Sequence, residues 1–156
     1  MKVYRIERRK NLENPLSGLG ASRAQGNRWN SLGTELVYTS ESRALATLEI
    51  VVHLDLSEDL PTDRYYVQIE IPDDITILEV DSKDLPTDWD AKPPSVFTQS
   101  IGDEFRAGNE AAVLKVPSSI VPQEYNYLIN PAHPESKRIK VTDTTSMTLD
   151  TRIKVK

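Results

Sequence analysis

The 156-residue sequence predicts an α+β domain in which a curved, mainly antiparallel sheet carries two main helices. Three observations lead there. Strand-like alternation recurs along the chain, only two stretches have apolar residues at helical spacing, and their order lacks the βαβα alternation of a doubly wound fold. The length suits a single domain spanning 1–156, because a chain of this size buries roughly 68–70% of its unfolded surface around one core.

Val3, Tyr4, Arg5 and Ile6 alternate as a first strand, and residues 10–25 mix Asn, Pro and Ser around Gly18 and Gly20 as a long loop. Loops beyond about 12–15 residues are uncommon in compact domains and tend to carry function. This one leads into Arg28, which lies between Gly26 and Gly33. Leu36, Val37, Tyr38 and Thr39 read as a buried strand. Ser40 then suits the N-cap of a helix over 41–53, with Glu41 in its first turn. Ala44, Leu45, Ala46, Leu48, Ile50, Val51, Val52 and Leu54 go most of the way round that helix, which predicts cover on nearly every side. Glu49 interrupts them on the face of Leu45 and Val52.

Residues 65–71 and 75–80 alternate on either side of Pro72, Asp73 and Asp74, the pattern of a hairpin. The phrase Asp-Leu-Pro-Thr-Asp occurs at 59–63 and again at 84–88 without matching flanks, so it reads as two similar turns. After Pro93 and Pro94, the spacing of Val96, Phe97, Ile101 and Phe105 predicts a second helix over 95–107, stopped by Gly108 and Asn109. Strands follow over 111–116 and 125–129, ended by Pro117-Ser118-Ser119 and by Asn130-Pro131. Residues 138–141 and 152–156 alternate basic with apolar side chains, as edge strands do.

Composition narrows the function classes. With 19 Lys and Arg against 24 Asp and Glu, interspersed for a net charge of −5, direct nucleic-acid binding is disfavoured. Cysteine is absent and only His53 and His133 offer imidazole, so neither disulfides nor a metal site is expected. No stretch approaches 18 consecutive apolar residues. A membrane span is therefore not expected, and the cytoplasm is the expected location.

Four residues invite chemistry. An ionised Glu49 among Leu45, Leu48 and Val52 costs several kcal/mol to desolvate unless it faces a cleft or a cation, so it either lines a pocket or sits at a solvated helix rim. The Arg28 fork suits a bidentate grip on phosphate, although a lone loop arginine lacks any glycine fingerprint of the Rossmann or P-loop kind. Trp29 beside it reads as core. Tyr38 offers a ring for stacking or a hydroxyl, and equally suits a core position. Ser118 reads first as a turn residue, with no neighbouring histidine to make it a nucleophile.

These residues and their flanks resemble the RES domain family, toxins of bacterial toxin–antitoxin pairs named for an arginine, a glutamate and a serine. The matching residues are Arg28, Glu49 and Ser118. The resemblance covers nearly the whole chain through Val3-Tyr4-Arg5, Gly18-Leu19-Gly20-Ala21, Arg28-Trp29-Asn30, Tyr38-Thr39-Ser40, the run from Ala44 to Glu49, Val116-Pro117-Ser118, and the run from Asn126 to Pro134. Asn27 stands where the family often has a second glycine, and Phe105 where it often has tryptophan.

The resemblance implies an ADP-ribosyltransferase-like fold and an enzyme that breaks the nicotinamide–ribose bond of NAD. NAD is then a substrate and no cofactor is implied. Arg28 would hold the pyrophosphate, Tyr38 pack on the nicotinamide side, Ser118 bond near the nicotinamide ribose, Asn126 contribute to NAD binding, and Glu49 stabilise the reacting centre. Hydrolysis and phosphorolysis are the expected reactions, with protein mono-ADP-ribosylation as the alternative. A non-catalytic nucleotide- or partner-binding module is the reading from another class. The implied partner is a helix-turn-helix antitoxin of the Xre type, through which alone DNA would be contacted, and the family also suggests homodimerisation.

Overall fold

The computed structural model describes residues 1–55 and 60–153. Its strands and helices follow the order β1 (Lys2–Arg8), α1 (Leu19–Arg23), β2 (Val37–Ser40), α2 (Arg43–Val51), β3 (Arg64–Glu70), β4 (Ile77–Glu79), α3 (Val96–Gly108), β5 (Val113–Pro117), β6 (Tyr125–Ile129) and β7 (Lys140–Ser146). One seven-stranded sheet takes the order β4-β5-β6-β2-β1-β3-β7, antiparallel throughout except between β4 and β5. The α+β class and the mainly antiparallel sheet expected from the sequence are therefore present. No helix among the described residues is long and apolar enough to cross a membrane.

Strand alternation gives the sheet two buried faces. Val113, Tyr127, Ile129, Val37 and Val3 enter one apolar cluster, with Leu12 and Leu16 of the first loop packed against it. Their neighbours Leu114, Val116, Leu128 and Leu36 enter a second cluster with Trp29, Trp89 and Phe105. Trp29 is thus a core residue, as its sequence context suggests. So is Phe105, which is buried in the same cluster.

The sheet opens at its middle. β1 pairs with β3 along its whole length but meets β2 at one register pair, Tyr4 with Ser40. Beyond that pair the two strands stop bonding each other. Arg5, Ile6 and Glu7 on one side, with Tyr38 and Thr39 on the other, line a cavity of about 1060 Å³. That volume is just above the range of ordinary small-ligand pockets, about 300–1,000 Å³.

Local signals misplace several boundaries. Ser42, not Ser40, caps α2, its side chain accepting the Leu45 N–H at 3.0 Å, while Ser40 completes β2. Both serines satisfy the capping preference, and strand pairing with Asn126 decides between them. α2 buries only Leu45 and Ala46 within its span, and Leu48 and Val52 are exposed, so the cover expected on nearly every side is absent. The long first loop contains the short helix α1.

The expected hairpin does not form. Pro72 and Ile75 make the predicted turn, but the chain then crosses the molecule and β4 pairs in parallel with β5 at the opposite edge, while β3 lies between β1 and β7. Period-two alternation identifies a strand without naming its neighbour. The expected strand at 138–141 begins at Lys140 and does form an edge, whereas Thr151–Ile153 is a 3₁₀ turn where a strand is expected. The remainder of that segment, 154–156, and Asp59 of the first repeated phrase lie outside the described residues. The second helix matches its expectation closely, with Ser95 as N-cap and Asn109 in a left-handed cap.

Candidate functional site

The cavity between β1 and β2 gathers Arg28, Tyr38, Glu49 and Asn126, and buried Ser118 bonds to Glu49 from behind. α2 rises directly from β2, so its second turn carries the half-buried Glu49 to the cavity wall. The sequence leaves open whether this carboxylate lines a pocket or a solvated rim, and the structure places it in the pocket.

Glu49 Oε1 accepts two hydrogen bonds, from Asn126 Nδ2 at 2.7 Å and from Ser118 Oγ at 3.0 Å. Both donors are oriented by groups behind them. Asn126 Oδ1 accepts the Ser40 hydroxyl at 2.7 Å, which turns its amide N–H₂ toward Glu49. Ser118 Oγ accepts the backbone N–H groups of Ile120 and Val121 at 3.1 and 3.2 Å, so its lone pairs are occupied and its one proton points at the carboxylate. Ser118 is thus the turn residue its context suggests and a partner of Glu49 as well. The second carboxylate oxygen, Oε2, accepts no hydrogen bond among the described residues. A carboxylate with one oxygen pinned and one open is a fixed negative charge facing the cavity.

Arg28 sits on the loop before β2, between Gly26 and Gly33, whose φ angles of 78° and 93° are left-handed and favour glycine. Its guanidinium donates from Nη1 to the carbonyls of Trp89 and Ala91 at 2.7 and 3.2 Å, and from Nη2 to that of Asp90 at 3.2 Å. It also lies 5.9 Å from the Trp89 ring centroid. Partial burial lowers its pKa, against the opposing pull of Asp90, Glu49 and Tyr38. An arginine remains charged through such a shift.

Tyr38 is held by its hydroxyl, which donates to Asn30 Oδ1 at 2.6 Å and accepts the Trp29 N–H at 3.2 Å. Burial pushes its phenol well above the ordinary value, so it stays protonated and tethers the Arg28 loop to β2. The same loop is pinned from α3. Asp103 accepts from the Ser31 N–H at 3.0 Å and the Ser31 hydroxyl at 2.6 Å, and Gln99 donates to the Asn27 carbonyl at 2.9 Å. Asn27, where the family often has glycine, donates to the Ala21 and Ala24 carbonyls and so joins α1 to the loop.

Ser40, Trp89, Asn30 and Asp103 support the site without being singled out by sequence reasoning. Ser40 carries a strong local signal of the wrong kind, a cap. Trp89 and Asp103 lie about sixty and seventy positions from the loop they hold, and only the fold brings them there. His53 lines the cavity one turn beyond Glu49, and His133 caps a short turn by accepting the Glu135 N–H at 3.2 Å.

The RES domain family model matches residues 2–150. A Prs ADP-ribosylating toxin of Sphingobium sp. (strain YBL2) is 46% identical over 140 residues, 88% of this chain and 86% of that protein. A Toxin Res of Photorhabdus laumondii is 42% identical over 132 residues, 84% and 82% of the two chains. In fold, the chain is similar to a chain in the crystal structure of the M. tuberculosis MbcT–MbcA toxin–antitoxin complex, with a TM-score of 0.75, 16% identity, and cover of 94% of this chain and 84% of that one. The family match runs through every element that lines the cavity and every strand of the sheet, and the chain belongs to the RES domain family.

Proposed function

We propose that this protein is the toxin of a bacterial toxin–antitoxin pair and that it cleaves the nicotinamide–ribose bond of NAD. The observation that carries the reading is Glu49, one carboxylate oxygen held by Ser118 and Asn126 and the other open to a cavity that also holds Arg28. It is supported by relatives named Toxin Res and Prs ADP-ribosylating toxin.

In this mechanism Arg28 grips the pyrophosphate and Tyr38 packs beside the nicotinamide. The glycosidic C–N bond breaks, its electron pair leaves with nicotinamide, and the ribose develops oxocarbenium character. A fixed carboxylate stabilises that positive charge far more than it stabilises neutral ribose, which is the condition for lowering a barrier. Ser118 and Asn126 aim the carboxylate, and Asn126, which lines the cavity, also bounds the ribose subsite. An acceptor oxygen then attacks the anomeric carbon and loses its proton.

Water or inorganic phosphate as acceptor makes the protein an NAD-degrading enzyme. The name of the Sphingobium relative favours a second reading, transfer of ADP-ribose to a protein. Incubation of the purified chain with NAD, following nicotinamide release and identifying the product, tests all of these. Free ADP-ribose marks hydrolysis, a phosphorylated ADP-ribose marks phosphorolysis, and label on protein marks transfer. Failure to release nicotinamide with any acceptor overturns the enzyme in favour of a binding module.

An antitoxin partner of the helix-turn-helix, Xre type is part of the same proposal. The MbcT–MbcA structure, a toxin with its antitoxin, supports the pairing, and the net charge of −5 agrees with DNA contacts supplied by the partner. Expression without the antitoxin is expected to arrest growth.

A further inference from the structure

We propose that Trp89 is a positioning residue for Arg28, and that the turn it anchors aims the arginine's uncommitted N–H groups at an oxyanion in the cavity. The inference rests on the dinucleotide reading above and extends it to a residue that does not line the cavity.

A guanidinium has five N–H donors in a planar fork. Three are spent on the carbonyls of residues 89, 90 and 91, two from Nη1 and one from Nη2. Nε–H and one Nη2–H remain without a partner among the described residues, and these two atoms are adjacent in the fork. Three consecutive carbonyls converging on one cation fix both the plane and the rotation of the group, which a lone loop arginine lacks. Two adjacent free donors are the arrangement that grips a phosphate in bidentate fashion.

Trp89 makes the clamp stiff. Its ring lies 5.9 Å from the Arg28 guanidinium carbon and 6.0 Å from the Trp29 ring, and it is buried with Phe105 and Leu36 in the second core cluster. The turn itself closes through Trp89 N–H to the Pro86 carbonyl at 3.0 Å and Ala91 N–H to the Asp88 carbonyl at 2.9 Å. Core packing of one indole therefore sets where three carbonyls point. An arginine so held loses little further freedom when substrate arrives, which favours binding.

The test is NAD affinity, measured by calorimetry on the full chain carrying Glu49→Gln so that NAD survives the titration. Arg28→Ala, Trp89→Phe and Trp89→Leu are added singly, and Arg28→Ala with Trp89→Leu together. Arg28→Ala and Trp89→Leu are each expected to weaken binding about tenfold, the loss of one charge-assisted hydrogen bond. Trp89→Phe, which keeps an aromatic face, should stay close to the parent, and the pair should bind no worse than Arg28→Ala alone because both changes remove one interaction. Trp89→Leu binding as tightly as the parent, while Arg28→Ala is weakened, overturns the positioning role and leaves the dinucleotide reading standing. Additive losses in the pair overturn it too, and unchanged affinity in Arg28→Ala overturns both.

A second measurement needs no change at Trp89. In ¹⁵N-edited spectra, with Arg28→Lys as assignment control, the Arg28 Nη groups should be resolved by restricted rotation and its Nε–H should shift on adding NAD. Rotationally averaged Nη signals would sink the clamp.

Discussion

Ser118 Oγ donates to Glu49 Oε1 at 3.0 Å across 69 positions of sequence, from a serine whose side chain is completely buried. A buried hydroxyl that accepts two backbone N–H groups has one proton left, and here it goes to a carboxylate. The bond joins the residue that follows β5 to the second turn of α2. Glu49 is thereby fixed in rotation before any ligand enters, the preorganisation that electrostatic stabilisation requires.

Glu49→Gln keeps that geometry, since the amide oxygen of glutamine can still accept from Ser118 and Asn126. Only the charge is lost. The variant is expected to fold like the parent and to lose about 10²–10³ in turnover, the usual cost of removing one preorganised group. Nicotinamide release at the parent rate from a folded variant would remove Glu49 from the chemistry.

Tyr38→Phe separates two roles for one ring. The hydroxyl is occupied by Asn30 and the Trp29 N–H, so its loss frees the Arg28 loop while the ring face stays in place. The expected outcome is a higher KM for NAD with kcat nearly unchanged, because weaker uniform binding leaves the chemical step alone. A lower kcat at constant KM would instead place the hydroxyl on the substrate.

Much of this site is legible in the sequence because the reasons are local. A carboxylate interrupting an apolar helix narrows the choice to a cleft or a solvated rim, and the fold selects the cleft; a serine after proline at a strand end suggests a turn, and Ser118 makes one. The neighbours of β4 are not legible, because alternation carries no address. Trp89 and Asp103 escape for the same reason, since each acts through a loop far away in the chain. Ser40 shows a local rule outvoted: its capping signal is sound, but pairing with Asn126 claims it for the strand.

Asp103→Asn probes how α3 holds the Arg28 loop. Partial burial alone would raise the Asp103 pKa, but the hydrogen bonds from Ser31 outweigh it and hold the carboxyl below the ordinary carboxylate range. The unfolded chain titrates near 3.9, roughly. The contribution is therefore fully present above that value and lost as pH falls through the lower folded pKa. The variant should cost about 0.5–1 kcal/mol at pH 7, kept small by solvent access. In urea unfolding at successive pH values the gap from the parent should narrow below about pH 4; a gap independent of pH would assign the loss to packing.

Gly102→Ala sets two effects of opposite sign against each other. In a helix interior alanine is favoured over glycine by about 0.8–1.0 kcal/mol, and Gly102 lies inside α3. A Cβ there would fall 1.6 Å from the Trp29 carbonyl oxygen and 2.7 Å from its carbon. Both atoms are backbone, so the loop must lift away from the helix. Overpacking of this kind costs about 1–3 kcal/mol or more, which outweighs the propensity gain and displaces the residue next to Arg28. Gly108→Ala, in the same helix, meets only the Glu110 side chain at 4.0 Å and serves as the control. Thermal unfolding is expected to fall by several degrees for Gly102→Ala, about 2–4 °C per kcal/mol at this size, with NAD affinity reduced in parallel. Gly108→Ala should change neither. Equal behaviour of the two variants would mean that the loop does not rest on α3 at Gly102.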